Sequence, residues 1–423
     1  PAVRSEWFDD FAKIGFSNYH YGSKAKTTNA VEKQRAGLAF QYLEENARKE
    51  ADYKYVYFAS MQDMRGSKRV NKKSNLDKNN ELFTAKWDLL IIDEAHEGVM
   101  TKLGSDVVEE LQKKRGMKTL YLSGTPYNIR QLFSSKQVYR WDYNMEQAAK
   151  AAWADEHPGE PNPYRGLASM NILTYNLGKV LRKYRQTDTD YFSFTELFRV
   201  NDETNCFEHE SDVRAFLNLL TQEGSNYPFS TDTYRRRLKH TLWSVPGVKA
   251  ARCLAQLLSE QSSNNVFKDY AIVNVAGDGD TVKENEDITE FSRKENDALE
   301  RVKAAIKLHD KTITLTCGRL TMGVSVPEWT GVMMLSGAYD TGATRYLQTI
   351  FRSQTPFKDG RIKEQCYAFD FAPDRTTTVI DQFISDMLHY YGQADRISVI
   401  EQFLHYCPIL MIDGAKAVCY NAE

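Results

Sequence analysis

Short apolar segments alternate along this chain with longer segments whose apolar residues recur at helical spacing. Residues 55–59, 87–92 and 118–122 have the length and composition of strands. Residues 31–49 and 106–114, which lie between them, have the pattern of amphipathic helices. Strands that alternate with helices are typical of a parallel sheet covered on both faces. We therefore predict an α/β fold.

The same alternation returns in the second half of the chain. The predicted strands there are 240–245, 270–275, 312–316, 331–335 and 366–371, and the predicted helices are 248–260 and 295–309. We expect two parallel-sheet domains with a mostly helical insertion or connector between them, because a proline-rich loop at 156–164 interrupts the alternation. The predicted divisions are 1–126 for the first domain, 127–232 for the connector, 233–390 for the second domain and 391–423 for the start of a C-terminal helical extension.

Composition limits the partners and the compartment. The 423 residues carry a formal net charge of −2, so a nucleic-acid site would have to be a local groove rather than a basic overall field. The sequence has no apolar run long enough to cross a bilayer. Its six cysteines include no Cys-x-x-Cys pair, which argues against structural zinc and against a disulfide framework. We predict a cytoplasmic protein without a membrane partner.

Two adjacent carboxylates follow an apolar strand in the stretch Leu89-Leu-Ile-Ile-Asp-Glu-Ala-His96. Ligands of open parallel sheets bind beyond the carboxyl ends of the strands. An aspartate there can hold Mg²⁺, and a neighbouring glutamate can orient and deprotonate an attacking water. The alternative is a surface Asp-Glu pair that starts a helix and complements its dipole. The pair Asp93 and Glu94 is therefore a candidate site for nucleotide hydrolysis.

Further motifs follow along the chain and make the interpretation as a nucleotide-hydrolysis site more specific. Asp93-Glu-Ala-His96 and Ser123-Gly-Thr-Pro126 resemble motifs II and III of the superfamily 2 helicases and translocases, whose motor consists of two RecA-like domains. Residues 318–329 resemble motif V, and Tyr346-Leu-Gln-Thr-Ile-Phe-Arg-Ser-Gln-Thr-Pro356 resembles motif VI. The spelling of motifs V and VI is similar to that in the motor parts of type III and single-polypeptide type I restriction enzymes.

The resemblance implies roles for individual residues. Arg352 would reach the γ-phosphate and neutralise charge that develops in the transition state. The implied catalytic residues are Glu94, Asp93, Arg352, Gln348 and His96. The implied ATP-binding residues are Asp93, which would also hold Mg²⁺, Gly323, Ser325 and Arg352. The residues implied to couple hydrolysis to domain closure include Ser123 and Thr125.

The resemblance also implies a path for DNA. Motors of this class grip the phosphodiester backbone through hydroxyls, backbone amides and helix N-termini, so a nearly neutral chain is no obstacle. The basic run 65–78 is more often a solvated loop than a phosphate-binding site. The residues at the positions of motifs Ib, IV and V, our candidates for DNA binding, are Ser60, Gln62, Arg65, Ser244, Gly247, Thr316 and Arg319.

The chain departs from the family pattern in several places. Thr355 stands where motif VI usually ends in arginine, Phe351 replaces its glycine, and Ser325 stands where many relatives have aspartate. These changes put a second γ-phosphate arginine and a ribose contact in doubt. No Gly-x-x-x-x-Gly-Lys-[Ser/Thr] phosphate loop occurs, and in the resembled family this loop lies upstream of the helix that we predict to begin near Arg4. We therefore expect a fragment that hydrolyses ATP weakly or not at all by itself.

We predict the motor portion of an ATP-dependent DNA helicase or translocase from a restriction-modification system. The expected cofactors are ATP and Mg²⁺, and the expected partners are DNA and nuclease or methyltransferase domains or subunits. Two alternatives stay open. One is a DNA or RNA remodelling helicase without a restriction partner, and the other is a non-catalytic DNA-binding or scaffold module that keeps a degenerate RecA pair.

Overall fold

The chain divides into two compact units in a computed structural model. The first unit comprises residues 1–133 and 285–296, and the second comprises residues 134–284 and 297–423. The structure describes residues 7, 10–11, 13–16, 18–23, 38–71, 78–98, 102–113, 116–126, 129–177, 193–260, 265–277, 288–318, 320, 324–336, 343–391, 396–413 and 416–420.

Four short parallel strands form two sheets in the described residues of the first unit. The strands are β1 (His20–Ser23), β2 (Tyr55–Phe58), β3 (Leu89–Ile92) and β4 (Lys118–Tyr121). β1 pairs with β2, and β3 pairs with β4, both in parallel. The helices of this unit are Phe40–Lys49, Met61–Arg65, Asn80–Thr84, Ala95–Gly98 and Lys102–Gln112, with a 3-10 turn at Arg130–Leu132.

The helices of the first unit form because their apolar residues recur on one face. In Lys102–Gln112 the buried residues Val107, Val108 and Leu111 follow the helical repeat and pack toward the strands. The predicted helix at 106–114 is thus observed, beginning four residues earlier. The predicted helix at 31–49 is observed from Phe40 to Lys49, and residues 31–37 lie outside the described residues.

One large sheet organises the second unit. Its strands are β5 (Ser169–Tyr175), β6 (His240–Ser244), β7 (Ala271–Asn274), β8 (Thr312–Thr316), β9 (Gly331–Met334), β10 (Gln365–Asp370), β11 (Ile409–Asp413) and β12 (Lys416–Cys419). Their order in the sheet is β12-β11-β5-β10-β9-β6-β8-β7. Every pairing is parallel except that of β11 with β12.

Helices accompany these strands. They are Tyr143–Glu156, Phe194–Leu197, Glu210–Leu220, Asp232–Arg237, Val248–Ser259, Ala343–Ile350, Pro373–Tyr391 and Arg396–Tyr406, together with the part of Ile288–Leu308 that belongs to the second unit. The 3-10 turns among the described residues of this unit are Ser135–Gln137, Phe267–Asp269 and Phe351–Gln354. β8 and β9 are buried at every residue, as expected of parallel strands covered on both faces. The prediction of an α/β protein built on parallel sheets is confirmed.

Two segments lie elsewhere than their sequence pattern suggested. Residues 134–232, expected within a connector, belong to the second unit. Their strand β5 lies between β10 and β11, and Phe194 and Phe216 pack in the same core as Phe371. The expected helical extension after residue 390 contains the helix Arg396–Tyr406 but then adds β11 and β12 to the sheet. Burial of β5 on both faces explains why these residues complete this core.

Candidate active site

The carboxyl ends of β3 and β4 meet at one edge of their sheet. Ile92 lies opposite Tyr121 in the parallel register. Beyond that pair, the Leu122 N–H donates to the Ile92 carbonyl at 2.8 Å, and the Ala95 N–H donates to the Leu122 carbonyl at 3.0 Å. These backbone bonds hold the residues that follow each strand side by side.

Asp93 and Glu94 form a tight turn directly after β3. Glu94 has φ of 47°, a left-handed conformation that costs energy in a residue other than glycine. The Asp93 Oδ1 atom accepts a hydrogen bond from the Glu94 N–H at 2.9 Å, which stabilises the turn. The Asp93 side chain is exposed and that of Glu94 is half-buried. An accessible carboxylate therefore stands at the strand end, where the sequence predicted it.

A buried histidine links this turn to the residues after β4. His96 is 5% exposed, and its Nδ1 atom lies 2.8 Å from the Ser123 Oγ atom and 3.4 Å from the Glu94 Oε2 atom. Its Nε2 atom lies 3.5 Å from the Thr125 Oγ1 atom. The Thr125 N–H in turn donates to the Ser123 Oγ atom at 3.2 Å. Four residues that the sequence singled out from two motifs thus form one polar network.

The oxygen ligands at this edge fit a magnesium ion. Mg²⁺ is usually bound by one or two carboxylates, several waters and the phosphates of the substrate. The Asp93 Oδ2 atom accepts a hydrogen bond from the Trp7 Nε1–H at 3.2 Å, and each carboxylate oxygen can accept a second interaction. The described residues contain no group of three or more His, Cys, Asp or Glu side chains placed to hold a metal. Asp93 is accordingly the residue that would hold Mg²⁺ together with bound phosphates.

The second unit holds the motif VI arginine in a well-defined place. Arg352 lies in the 3-10 turn Phe351–Gln354, directly after the helix that carries Gln348. Its Nε–H donates to the Gln348 carbonyl at 3.0 Å, and its Nη1–H donates to the Val324 carbonyl at 2.9 Å. Val324 belongs to the motif V segment, next to the half-buried Ser325. Motifs V and VI are therefore in direct contact.

The predicted DNA-binding residues differ in exposure. In the first unit, Ser60 is half-buried at the start of the helix Met61–Arg65. Arg65 is also half-buried, and this burial lowers the pKa of its guanidinium. The side chain of Gln62 and the residues Arg319 and Gly323 lie outside the described residues.

The second unit contains the remaining candidates. Gly247 precedes the helix Val248–Ser259. Ser244 is buried and its hydroxyl bonds to that of Ser336, while the Thr316 side chain is fully buried at the end of β8. Of these three residues, only Gly247 has free space beside it. No atom lies within 4 Å of the position that a Cβ atom would occupy there.

The structure contains a buried ion pair that sequence reasoning missed. Asp370 and Arg375 are 0% and 1% exposed. The Arg375 Nε–H donates to the Asp370 Oδ2 atom at 3.1 Å, and its Nη1–H and Nη2–H donate to the Ser336 and Met334 carbonyls at 2.6 Å and 3.1 Å. The Thr376 hydroxyl also donates to Asp370. The available signal was an aspartate that ends an apolar strand, the same pattern that identified Asp93.

The motifs of this chain and their order resemble those of superfamily 2 helicase-like motors of the restriction-enzyme kind. Residues 2–128 match the family described as type III restriction enzyme, res subunit. A Mycoplasma pneumoniae protein, described as the C-terminus of a putative type II restriction enzyme and methyltransferase, is 27% identical over 448 residues. The match covers 90% of this chain and 58% of that relative, so the chain spans less than two thirds of the relative's length. The resemblance stated from the motifs is confirmed.

Solved structures of helicase-like proteins are also similar to this chain. A fragment of a putative HsdR subunit of a type I restriction enzyme from Vibrio vulnificus YJ016 is 16% identical with a TM-score of 0.42, covering 87% of this chain and 54% of that one. A DEAD-box helicase bound to single-stranded RNA and UDP-BeF is 12% identical with a TM-score of 0.41, covering 96% of this chain and 69% of that one. Within the part of the chain that the structure describes, every helix is too short or too polar to span a membrane.

Proposed function

We propose that this chain carries the motor units of an ATP-dependent DNA translocase of a restriction-modification system. The observation that supports this most directly is the buried His96, whose Nδ1 atom lies near both Glu94 and Ser123 and whose Nε2 atom lies near Thr125. A hydrolytic motor needs such a link, because a change at the nucleotide has to reach other parts of the protein. A surface Asp-Glu pair at a helix start would not require a buried partner network.

In this proposal each unit supplies part of the chemistry. ATP is the substrate, and Asp93 would hold the Mg²⁺ that accompanies its phosphates. Glu94 accepts a proton from the attacking water, and His96 keeps the Glu94 carboxylate in place. Arg352 of the second unit neutralises charge that develops on the γ-phosphate. Gln348 lies one helical turn before Arg352, and its carbonyl orients the Arg352 guanidinium.

The proposal requires a phosphate loop that this sequence does not contain. Strands of parallel sheets are normally covered on both faces, yet Leu89 of β3 and Leu120 of β4 are 47% and 45% exposed. Their exposure supports the idea that further chain completes the first unit. We use "the longer polypeptide" for a protein that contains this chain together with an upstream phosphate loop. The description of the Mycoplasma pneumoniae relative supports methyltransferase or nuclease partners in the same polypeptide or complex.

Steady-state phosphate release from ATP, with and without duplex DNA, tests the proposal. The longer polypeptide is expected to hydrolyse ATP in a DNA-stimulated manner, and this chain alone weakly or not at all. Arg352→Ala in the longer polypeptide should lower kcat about 10³-fold or more. The exposed Arg361, which pairs with Asp359, provides the control Arg361→Ala with unchanged turnover. DNA binding without turnover in the longer polypeptide would instead favour the non-catalytic alternative.

His96→Ala is expected to weaken DNA stimulation more than the unstimulated rate. The substitution disconnects Glu94 from the Ser123 and Thr125 hydroxyls, and it also leaves buried polar groups unsatisfied, at a cost of about 1–3 kcal/mol of unfolding free energy. The ratio of the two rates and a denaturant titration measure these effects separately. His157→Ala, at a partly exposed histidine stacked on Trp153, is the matched control. An unchanged stimulation ratio in folded His96→Ala would show that the network does not transmit the DNA signal.

A further inference from the structure

Lys363 is a buried cation whose ammonium group donates hydrogen bonds to backbone oxygens. It is 5% exposed, and its Nζ atom donates to the carbonyls of Trp329 at 2.8 Å, Ser353 at 2.8 Å and Thr355 at 3.0 Å. An ammonium group has three N–H donors, so these three carbonyls match its full capacity. Lysine is rarely buried to this extent, and burial lowers the pKa of Lys363 to about 8. Because burying a charged group costs hydration free energy, we expect this lysine to have a specific structural role.

The three carbonyls belong to the two motifs that form the arginine site. Trp329 ends the motif V segment, whereas Ser353 and Thr355 follow Arg352 in motif VI. Arg352 makes the reverse connection, because its side chain donates to the Val324 carbonyl of motif V. The Lys363 and Arg352 side chains thus tie the same two segments together from two directions.

The turn after Arg352 is held at each of its residues. The Ser353 hydroxyl donates to the Ile350 carbonyl at 2.7 Å, and the Gln354 side chain donates to the Ala168 carbonyl at 3.0 Å. The Thr355 hydroxyl donates to the Arg352 carbonyl at 3.0 Å. Thr355 is also the residue that departs from the family's arginine. In this chain, Lys363 brings a positive charge next to Thr355, and its ammonium group donates to the Thr355 backbone carbonyl.

We propose that Lys363 is a positioning residue for Arg352: it fixes the backbone turn that carries the arginine by holding the Trp329, Ser353 and Thr355 carbonyls. This inference rests on the proposed function for its catalytic consequence, while the clamp itself is a property of the second unit. Lys363 does not touch the nucleotide in this scheme. It acts through the placement of Arg352, whose contribution arises in the transition state.

Lys363→Met in the longer polypeptide tests the positioning role. We expect kcat for ATP to fall about 10- to 100-fold with little change in KM, because a small misplacement of a catalytic group mainly affects the transition state. Adding Lys363→Met to Arg352→Ala should cause no further loss, since the arginine to be placed is already absent. Lys358→Met, at an exposed lysine of the same connection, is the control. Unchanged kcat in folded Lys363→Met, or additive losses in the double variant, would overturn the inference.

Amide hydrogen exchange provides a readout that does not need ATP turnover. Peptides covering residues 351–356 should exchange faster in Lys363→Met than in the wild-type longer polypeptide, and equal exchange would contradict the clamp. If the wild-type polypeptide has no turnover, the proposed function fails while exchange still decides the role of Lys363. Should Lys363→Met not fold, Lys363→Gln keeps two N–H donors and is expected to fold with intermediate exchange and kcat. Wild-type exchange and kcat in Lys363→Gln would count against the clamp.

Discussion

Glu94→Gln is expected to lower ATP turnover by the longer polypeptide about 10²- to 10⁴-fold, the contribution typical of a general base. The amide has the size of the carboxylate and can still accept a hydrogen bond from His96, but it cannot take a proton from water. Nucleotide binding should therefore persist, because Asp93, the residue proposed to hold Mg²⁺, is unchanged. Phosphate release measures the loss, and calorimetric titration with a non-hydrolysable ATP analogue measures binding.

A matched control uses another glutamate of the same unit. Glu109 is exposed on the helix Lys102–Gln112, and Glu109→Gln should leave both turnover and binding unchanged. Wild-type turnover in Glu94→Gln would exclude Glu94 as the base. Loss of nucleotide binding together with turnover would instead show that Glu94 acts in holding the nucleotide. Glu94 is informative in either case, because its left-handed backbone and its contact with His96 place it in a constrained turn.

Arg375→Ala should destabilise the second unit by about 3–5 kcal/mol, the usual effect of removing one partner of a buried ion pair. The substitution leaves the Asp370 carboxylate buried without its cation and removes the donors to the Ser336 and Met334 carbonyls. A loss of this size is a large fraction of the total stability of a typical domain. Denaturant unfolding followed by the fluorescence of the buried Trp243 and Trp329 measures it.

Two comparisons separate the ion pair from general effects of losing arginine. Arg361→Ala removes an exposed pair with Asp359, and solvent screening should make its effect on the unfolding free energy much smaller than that of Arg375→Ala. Replacing both partners, as in Asp370→Ala with Arg375→Ala, should cost less than the sum of the single changes, because no unpaired charge stays buried. Equal unfolding midpoints for wild type and Arg375→Ala would show that the pair contributes no stability.

The sequence by itself was sufficient for the class of fold and for the candidate site at the end of β3. Strand length, apolar content and the turn that follows are local properties, and an apolar strand cannot solvate carboxylates. Asp93 and Glu94 therefore had to lie beyond its tip, and parallel pairing brings the residues after β4 to the same edge. Ser123 and Thr125 could be paired with His96 for that reason, although their distances could not be known.

Tertiary structure decided the features that depend on partners far along the chain. β5 has the composition of a strand, but its place between β10 and β11 follows from pairing with segments near the other end of the chain. Lys363 lies in the polar stretch Lys-Asp-Gly-Arg-Ile-Lys and would be taken for a solvated side chain. Its burial exists only because folding brings Trp329, 34 residues earlier, next to the turn after Arg352. The local sequence pattern indicates which secondary structure a segment prefers. Long-range packing determines which polar groups become buried and therefore need hydrogen-bond partners.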